Sequence, residues 1–333
     1  MTSTDPDITT TLFDGIRLSS CVFNASGVWC TEVDQLQTVL SSPSTGAVIS
    51  KSCTLNPRTG NTLPRYFDKI PQMDLCSINS MGIPNHGIEY YMKASLTLDR
   101  TGQSKPFILS ISGLDVEENL KLFSLTDSTD NRIDAIEFNL SCPNIIGKPQ
   151  TGLDFDAMDN TLRKVFEVYP SGQHSKPVGL KLPPYFDFAH FQRAIDVIDN
   201  YSSKLSFLTC INSIGNGLAI DIDSESTVIH PKNGFGGLGG DIVKFTALAN
   251  VRQFYVGLGH KLDIIGCGGV KSGSDVFEHI LCGAKAVQIG TLIQKNGVAE
   301  FDRVTSELKQ IMKQKQYTST DQYRGKLKTI EAQ

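Results

Sequence analysis

Apolar and polar positions follow two alternating spacings along the chain. Short apolar runs, typical of buried strands, alternate with segments in which apolar residues recur at helical spacing. The runs predict strands over residues 21–24, 46–51, 106–112, 133–139, 178–182, 205–212, 262–266 and 286–290. The segments between them predict helices over residues 32–40, 88–98, 116–124, 156–169, 188–201, 242–257, 273–281 and 298–314. Eight strand-then-helix units in 333 residues predict an α/β fold, the (β/α)8 TIM barrel.

Two insertions interrupt this alternation. Residues 52–78 and 215–240 each follow a predicted strand, and we interpret both as long loops over the C-terminal face of the barrel. No linker divides the sequence, so we expect one domain over residues 1–333.

Composition and charge exclude several classes of protein. The net charge of −4 argues against a partner that is a nucleic acid or an anionic membrane. No apolar run is long enough to cross a membrane, and residues 1–11 resemble neither a secretion signal nor a transit peptide. The eight cysteines form no CxxC pair, and the six histidines show no metal-ligand spacing. We therefore expect a cytoplasmic protein with reduced thiols and no metal site.

The predicted strand over residues 133–139 ends in an unusual polar stretch, Asn-Leu-Ser-Cys-Pro-Asn at 139–144. The C-terminal ends of barrel strands are where catalytic groups lie in this fold. Cys142 is a candidate base or nucleophile through its thiolate. The alternative is a buried cysteine that packs as a small apolar side chain. Its polar neighbours argue against that alternative, because each would need a partner if buried.

Other strand ends carry residues that point to a site for an anionic or electron-rich ring. Lys51 and Ser52 end one strand, Lys181 ends another, and Asn212 and Ser213 end a third. Glycine turns follow the last two strands, at 266–269 and near Gly290, where barrels of this type bind phosphate. Phosphate at this end, lysines near a ring and a thiol opposite suggest a barrel that binds flavin mononucleotide, FMN.

These stretches resemble the class 1A dihydroorotate dehydrogenases, the soluble branch that uses fumarate. The resemblance rests on Asn-Ala-Ser-Gly at 24–27, Ser-Lys-Ser-Cys at 50–53, Ser-Ile-Asn-Ser-Met-Gly-Ile-Pro-Asn at 77–85 and the stretch at 139–144. It continues with Lys-Leu-Pro-Pro-Tyr-Phe-Asp at 181–187, Asn-Ser-Ile-Gly-Asn-Gly at 212–217, Gly-Phe-Gly-Gly-Leu-Gly-Gly at 234–240 and Cys-Gly-Gly at 267–269.

The resemblance implies a role for each matching residue. Cys142 would be the catalytic base, and Lys51 would lie near both flavin and substrate. Substrate ligands would be Lys51, Asn79, Met81, Gly82, Ile83, Asn139, Asn144, Asn212 and Ser213. FMN would contact Ala25, Ser26, Gly27, Lys51, Ser52, Asn139, Lys181, Gly240, Cys267, Gly268, Gly269, Gly290 and Thr291.

The resemblance also implies the reaction, in which dihydroorotate is oxidised to orotate and fumarate is reduced to succinate, within pyrimidine (UMP) biosynthesis. It implies a homodimer. One alternative is a class 1B catalytic subunit, which passes electrons to an iron–sulfur partner and NAD. Others are a pyrimidine-reducing domain like that of dihydropyrimidine dehydrogenase, and a flavin-binding barrel without enzymatic activity. A membrane-linked class 2 enzyme would use serine as its base, where this sequence has Cys142.

Overall fold

Eight parallel strands form the centre of the molecule, which confirms the predicted TIM barrel. The computed structural model describes residues 5–12, 15–71, 73–100, 105–126, 131–141, 147, 149–169 and 176–330. The barrel strands are β3 (Val22–Asn24), β4 (Val48–Ile49), β7 (Phe107–Ile111), β8 (Ala135–Asn139), β9 (Val178–Leu182), β10 (Phe207–Cys210), β15 (Asp263–Cys267) and β16 (Ala286–Ile289). Each lies beside its predecessor in this order, and β16 returns to pair with β3.

The barrel closes between the segments around β3 and β4 through backbone and side-chain hydrogen bonds. The Gly46 N–H donates to the Val22 carbonyl at 2.8 Å. The Asn24 amide spans the same gap, because its Nδ2 donates to the Ile49 carbonyl at 2.9 Å and its Oδ1 accepts the Ile49 N–H at 3.0 Å. Asn24 is fully buried, and its side chain takes the place of a ladder bond that the two short strands do not form.

Helices surround the barrel, each with one buried apolar face. They are α1 (Val33–Ser41), α2 (Ile88–Thr97), α3 (Val116–Thr126), α4 (Phe155–Val168), α5 (Phe188–Asp199), α6 (Lys244–Leu258), α7 (Gly273–Cys282), α8 (Thr291–Asn296) and α9 (Glu300–Gln314). Helix α8 was not predicted, because six residues are too few to show a helical period. Within the described ranges, no helix has both the length and the apolar character that a bilayer crossing requires.

The two insertions form a second sheet, so the prediction of two long loops is wrong in part. The strands β5 (Tyr66–Phe67), β6 (Cys76–Asn79), β11 (Ile214–Leu218) and β14 (Phe235–Gly240) pair antiparallel in the order β11-β14-β6-β5. The strands β12 (Ile220–Asp221) and β13 (Ser226–Thr227) form a separate hairpin. Asn79 pairs with Gly237, a residue far along the chain, so neither insertion alone could reveal this sheet.

An N-terminal hairpin lies across the opposite end of the barrel. The strands β1 (Thr10–Leu12) and β2 (Ile16–Leu18) pair antiparallel, and neither was predicted. Leu12 and Leu18 are fully buried and pack against the lower barrel interior, which consists of Phe23, Ala47, Ile49, Ile108, Ala135, Phe207, Ile265 and Ala286. This end of the barrel is therefore sealed by apolar contacts, and a ligand has to enter from the other end.

Candidate active site

A cavity of about 410 Å³ lies where the barrel strands end and the second sheet begins. Cavities of this size hold small molecules and cofactors. Its walls bring together the described members of the predicted site, Ala25, Ser26, Gly27, Lys51, Ser52, Asn79, Met81, Gly82, Ile83, Asn139, Lys181, Asn212, Ser213, Gly240, Cys267, Gly268, Gly269, Gly290 and Thr291. Cys142 and Asn144, the predicted base and a predicted substrate ligand, lie outside the described residues.

Two serines of the cavity wall, Ser26 and Ser52, are linked through their hydroxyls to Ser110 on β7. The Ser52 hydroxyl lies 3.1 Å from the Ser26 hydroxyl and 2.9 Å from the hydroxyl of Ser110. It also accepts a hydrogen bond from Asn139 Nδ2 at 3.1 Å. Because each hydroxyl both donates and accepts, this wall orients Asn139 before any ligand arrives.

A second hydrogen-bond network holds the end of β8, three residues before the predicted base, Cys142. Asn139 Oδ1 accepts hydrogen bonds from the Ser141 N–H and the Ser141 hydroxyl, each at 3.0 Å. Asn212 Nδ2 donates to the same Ser141 hydroxyl at 2.9 Å, and Asn212 Oδ1 accepts the Ser213 N–H at 2.8 Å. Ser141 is fully buried, so the residue directly before Cys142 is held in place by these hydrogen bonds.

The segment after β6 lines the cavity with Met81, Gly82 and Ile83. Gly82 and Ile83 have consecutive positive φ angles of 72° and 53°. A β-branched residue in this region is a genuine outlier that costs about 1–3 kcal/mol and is characteristic of functional sites. Asn79 holds the start of the segment, because its Nδ2 donates to the Gly237 carbonyl on β14 at 3.1 Å. Turns of this kind can gather main-chain N–H groups into an anion-binding concavity.

The charged groups at the cavity favour anionic ligands. Lys51 and Lys181 both line it, and Lys181 is only 4% exposed. Lys181 Nζ donates to Gln288 Oε1 at 2.8 Å inside the barrel. Asp241 also lines the cavity, but its carboxylate pairs with Lys271 Nζ at 2.8 Å. Two lysines in a half-enclosed space raise the local concentration of anions.

Glycine turns form the end of the cavity nearest to β15 and β16. Gly269 has a φ of 74°, and a Cβ there would lie 2.4 Å from the Cβ of Lys244, so only glycine fits. The Thr291 hydroxyl, at the start of α8, lies 3.4 Å from the hydroxyl of Ser77. Glycine turns after the seventh and eighth strands, with a nearby hydroxyl, are typical of barrel sites that bind phosphate through backbone N–H groups.

Three other described thiols, those of Cys30, Cys53 and Cys210, do not compete as bases. Burial raises the pKa of the Cys30 thiol to about 11 and raises the pKa values of Cys53 and Cys210 further. These thiols stay protonated at neutral pH and pack as small apolar groups. Burial also lowers the pKa of His279 to about 4, so its imidazole is neutral and forms a hydrogen bond from Nε2 to the Gly268 carbonyl at 3.0 Å. Among the described residues no cluster could hold a metal ion.

Several cavity residues were not predicted. Tyr66, Leu75 and Ser77 come from the insertion that was expected to be a loop, and Leu238 and Gly239 come from the other insertion. Gln294 and Leu292 come from the unpredicted helix α8. Ser77 and Gly239 lie within the stretches that carry the resemblance, and this position could have identified them as cavity residues. No sequence signal identified Tyr66 as a cavity residue, because its place depends on the pairing of β5 with β6.

Comparison with known proteins gives a consistent family. A sequence model described as dihydroorotate dehydrogenase matches residues 8–312. A Lachancea kluyveri protein named dihydroorotate dehydrogenase (fumarate) is 50% identical over 309 residues, which are 92% of this chain and 94% of that protein. A Saccharomyces cerevisiae protein of the same name is 49% identical over 323 residues, 96% of this chain and 98% of that protein. A Streptococcus pneumoniae protein named probable dihydroorotate dehydrogenase A (fumarate) is 46% identical over 323 residues, with coverages of 97% and 99%.

The fold is also shared with a solved structure. The crystal structure of ligand-free type DHODH from Eimeria tenella superposes with a TM-score of 0.78 at 19% identity. The superposition covers 98% of this chain and 93% of that one. It supports the barrel architecture.

Proposed function

The chain belongs to the dihydroorotate dehydrogenase family, and from this premise we propose that it oxidises (S)-dihydroorotate to orotate with FMN and passes the electrons to fumarate. The relatives named for fumarate, at 46–50% identity, support this choice of acceptor. The single observation that carries the proposal is the cavity, where two lysines, three asparagines and the glycine turns meet. The reaction belongs to pyrimidine (UMP) biosynthesis.

The residues around the cavity fit FMN. Its phosphate would be held by backbone N–H groups at Gly268, Gly269 and Gly290 and by the Thr291 hydroxyl. Lys181 would face the ring, and the remaining contacts would come from Ala25, Ser26, Gly27, Lys51, Ser52, Asn139, Gly240 and Cys267. Bound FMN would supply a ring that accepts a hydride and returns it. The buried charge of Lys181 would favour the ring when it carries negative charge.

The substrate would be held by amides and by a lysine. Asn79, Asn139, Asn212 and Ser213 offer both donors and acceptors to the edge of a pyrimidine ring. Asn144 is assigned the same role from the family resemblance. Lys51 and the N–H groups of Met81, Gly82 and Ile83 would bind the carboxylate that dihydroorotate and fumarate share.

Cys142 would act as the base. Its thiolate would take the proton from C5 of dihydroorotate and later give a proton to fumarate in the same cavity. Two substrates that use one cavity in turn should give ping-pong kinetics. The rate should rise with pH toward the pKa of the thiol, which is about 8.5 when unperturbed.

An anaerobic experiment tests the proposal. The purified yellow protein is mixed with dihydroorotate, and its absorbance near the flavin bands is followed before and after fumarate is added. We expect bleaching by dihydroorotate and return of colour with fumarate. Colour that dihydroorotate cannot bleach would indicate a flavin-binding barrel without this activity. Bleaching that only an added NAD-linked partner reverses would indicate a class 1B subunit.

We also propose that the protein is a homodimer in the cytoplasm, as the family resemblance implies. Light scattering of the purified protein should give twice the mass of the chain, and a single-chain mass would refute the dimer. Cell fractionation followed by immunoblotting should place the protein with cytoplasmic markers.

A further inference from the structure

The barrel interior contains a polar relay directly below the cavity. Glu137 on β8 is fully buried, and its Oε2 accepts hydrogen bonds from Gln288 Nε2 at 2.9 Å and from the Thr209 hydroxyl at 2.8 Å. Gln288 Oε1 in turn accepts the hydrogen bond from Lys181 Nζ at 2.8 Å. A buried carboxylate is therefore connected to the cavity lysine through one amide.

The chemistry of these groups fixes the direction of every bond in the relay. A lysine ammonium has only donors and a carboxylate has only acceptors, so the amide between them has one satisfactory orientation. Glu137 holds the NH₂ end of Gln288, and this turns the carbonyl oxygen toward Lys181. Removing the carboxylate would leave the amide free to rotate away from the lysine.

Folding alone does not account for a carboxylate at this position. Ala135 lies two residues earlier on the same strand and face, within the apolar lower interior. A well-packed apolar side chain in place of a buried charge is often neutral or stabilising. Glu137 Oε1 also lacks a hydrogen-bond partner within the described residues. Such an unsatisfied oxygen lowers stability, so the position points to a role at the cavity above.

We propose that Glu137 is a positioning residue for Lys181. Through Gln288 it holds the lysine Nζ at the floor of the cavity, and its negative charge offsets part of the lysine's positive charge there. This inference rests on the proposed function, in which FMN occupies the cavity with Lys181 facing its ring. Glu137 would then set how strongly Lys181 favours the reduced flavin, and so the midpoint potential of the bound flavin.

The first test measures the midpoint potential of the flavin in the holoprotein by anaerobic titration with a reference dye. Glu137→Gln keeps the volume and can still accept the hydrogen bond from Gln288, but it removes the negative charge. We expect the potential to become more positive, with at least a tenfold change in the two-electron equilibrium constant, or about 30 mV. Thr209→Val is the matched control, because it removes one hydrogen bond to Glu137 and no charge. Its equilibrium constant should change less than threefold.

A charge exchange separates this role from a purely structural one. In the double variant Glu137→Gln with Gln288→Glu, the carboxylate lies one step closer to Lys181 and the total charge is unchanged. Its potential should return to the wild-type value or fall below it. An unshifted or more negative potential in Glu137→Gln, or no reversal in the double variant, would overturn the inference, whatever happens to the melting temperature.

The second test needs no flavin. In the apoprotein, reductive methylation of Lys181 is followed by peptide mass spectrometry, with Lys51 as the internal reference. Gln288→Leu and Glu137→Leu should each speed methylation of Lys181 at least tenfold, because the lysine loses its anchor. Equal rates in wild type and both variants would refute the relay. A protein that binds no FMN would refute the proposed function but leave this measurement decisive for the relay.

Discussion

The two ends of the barrel are built from the same strands but have opposite chemistry. Along β8, the inward positions run from Ala135 through Glu137 to Asn139, from the apolar lower interior to the cavity wall. Along β16, Ala286 is followed by Gln288 in the same way. The lower end is closed by packing and contributes stability, whereas the upper end is polar, strained in places and open to ligands. Stability and chemistry should therefore respond to different substitutions.

The largest expected effect is the loss of turnover in Cys142→Ala. General acid–base catalysis contributes up to about 10⁴-fold, and we expect a loss of this size, with bound FMN and melting temperature unchanged. Stopped-flow reduction of the flavin by dihydroorotate measures it. Cys142→Ser should retain a small rate that rises only at high pH, because a hydroxyl is a weaker acid than a thiol. A fully active alanine variant would exclude Cys142 as the base.

At the sealed end a substitution should lower stability and leave turnover unchanged. Leu18→Ala removes a fully buried side chain between the hairpin and the barrel, and should lower the free energy of unfolding by about 4 kcal/mol. Turnover per folded molecule should not change, because the cavity lies at the other end. Denaturant melts measure the first quantity, and the rate of dihydroorotate oxidation per bound flavin measures the second. Leu96→Ala is the matched control, because Leu96 is 47% exposed on α2 and should change stability by less than about 0.5 kcal/mol. Equal losses in the two variants would contradict the apolar seal.

His279, near the upper end of the barrel, should make the free energy of unfolding depend on pH. Its pKa is about 4 when folded and 6.5 in the reference state, so the unfolded chain binds more protons between these values. Stability should therefore fall as pH drops through this window, by about 2 kcal/mol between pH 7 and pH 5. His279→Gln keeps a donor for the Gly268 carbonyl and does not titrate. Melts at both pH values should show a smaller difference in the variant, and an unchanged difference would rule out His279 as the source.

The sequence predicts the sealed barrel scaffold better than the details of its upper end. Strand β9 has the predicted bounds, since apolar periodicity and short connections define it locally. The second sheet was missed because its central pair, β6 and β14, joins distant parts of the chain and because β11 and β14 contain many glycines. Glu137 was also missed, because the run around it was interpreted as simply apolar. A charged residue at an inward strand position was the available signal, but its partners Gln288 and Thr209 come from other strands.

The smallest expected effect is on FMN affinity, and it is tested with one buried serine at each end of the barrel. The Ser52 hydroxyl contacts Ser26, Ser110 and Asn139, so Ser52→Ala leaves the amide of Asn139 without that acceptor at the cavity wall. A net hydrogen bond contributes about 1 kcal/mol, so the dissociation constant of FMN should rise about fivefold. Ser20→Ala is the control, because Ser20 is equally buried near the sealed end. Fluorescence titration of each apoprotein with FMN should show weaker binding in the Ser52 variant alone. Equal affinities in the two variants would mean that the serine wall only supports the fold.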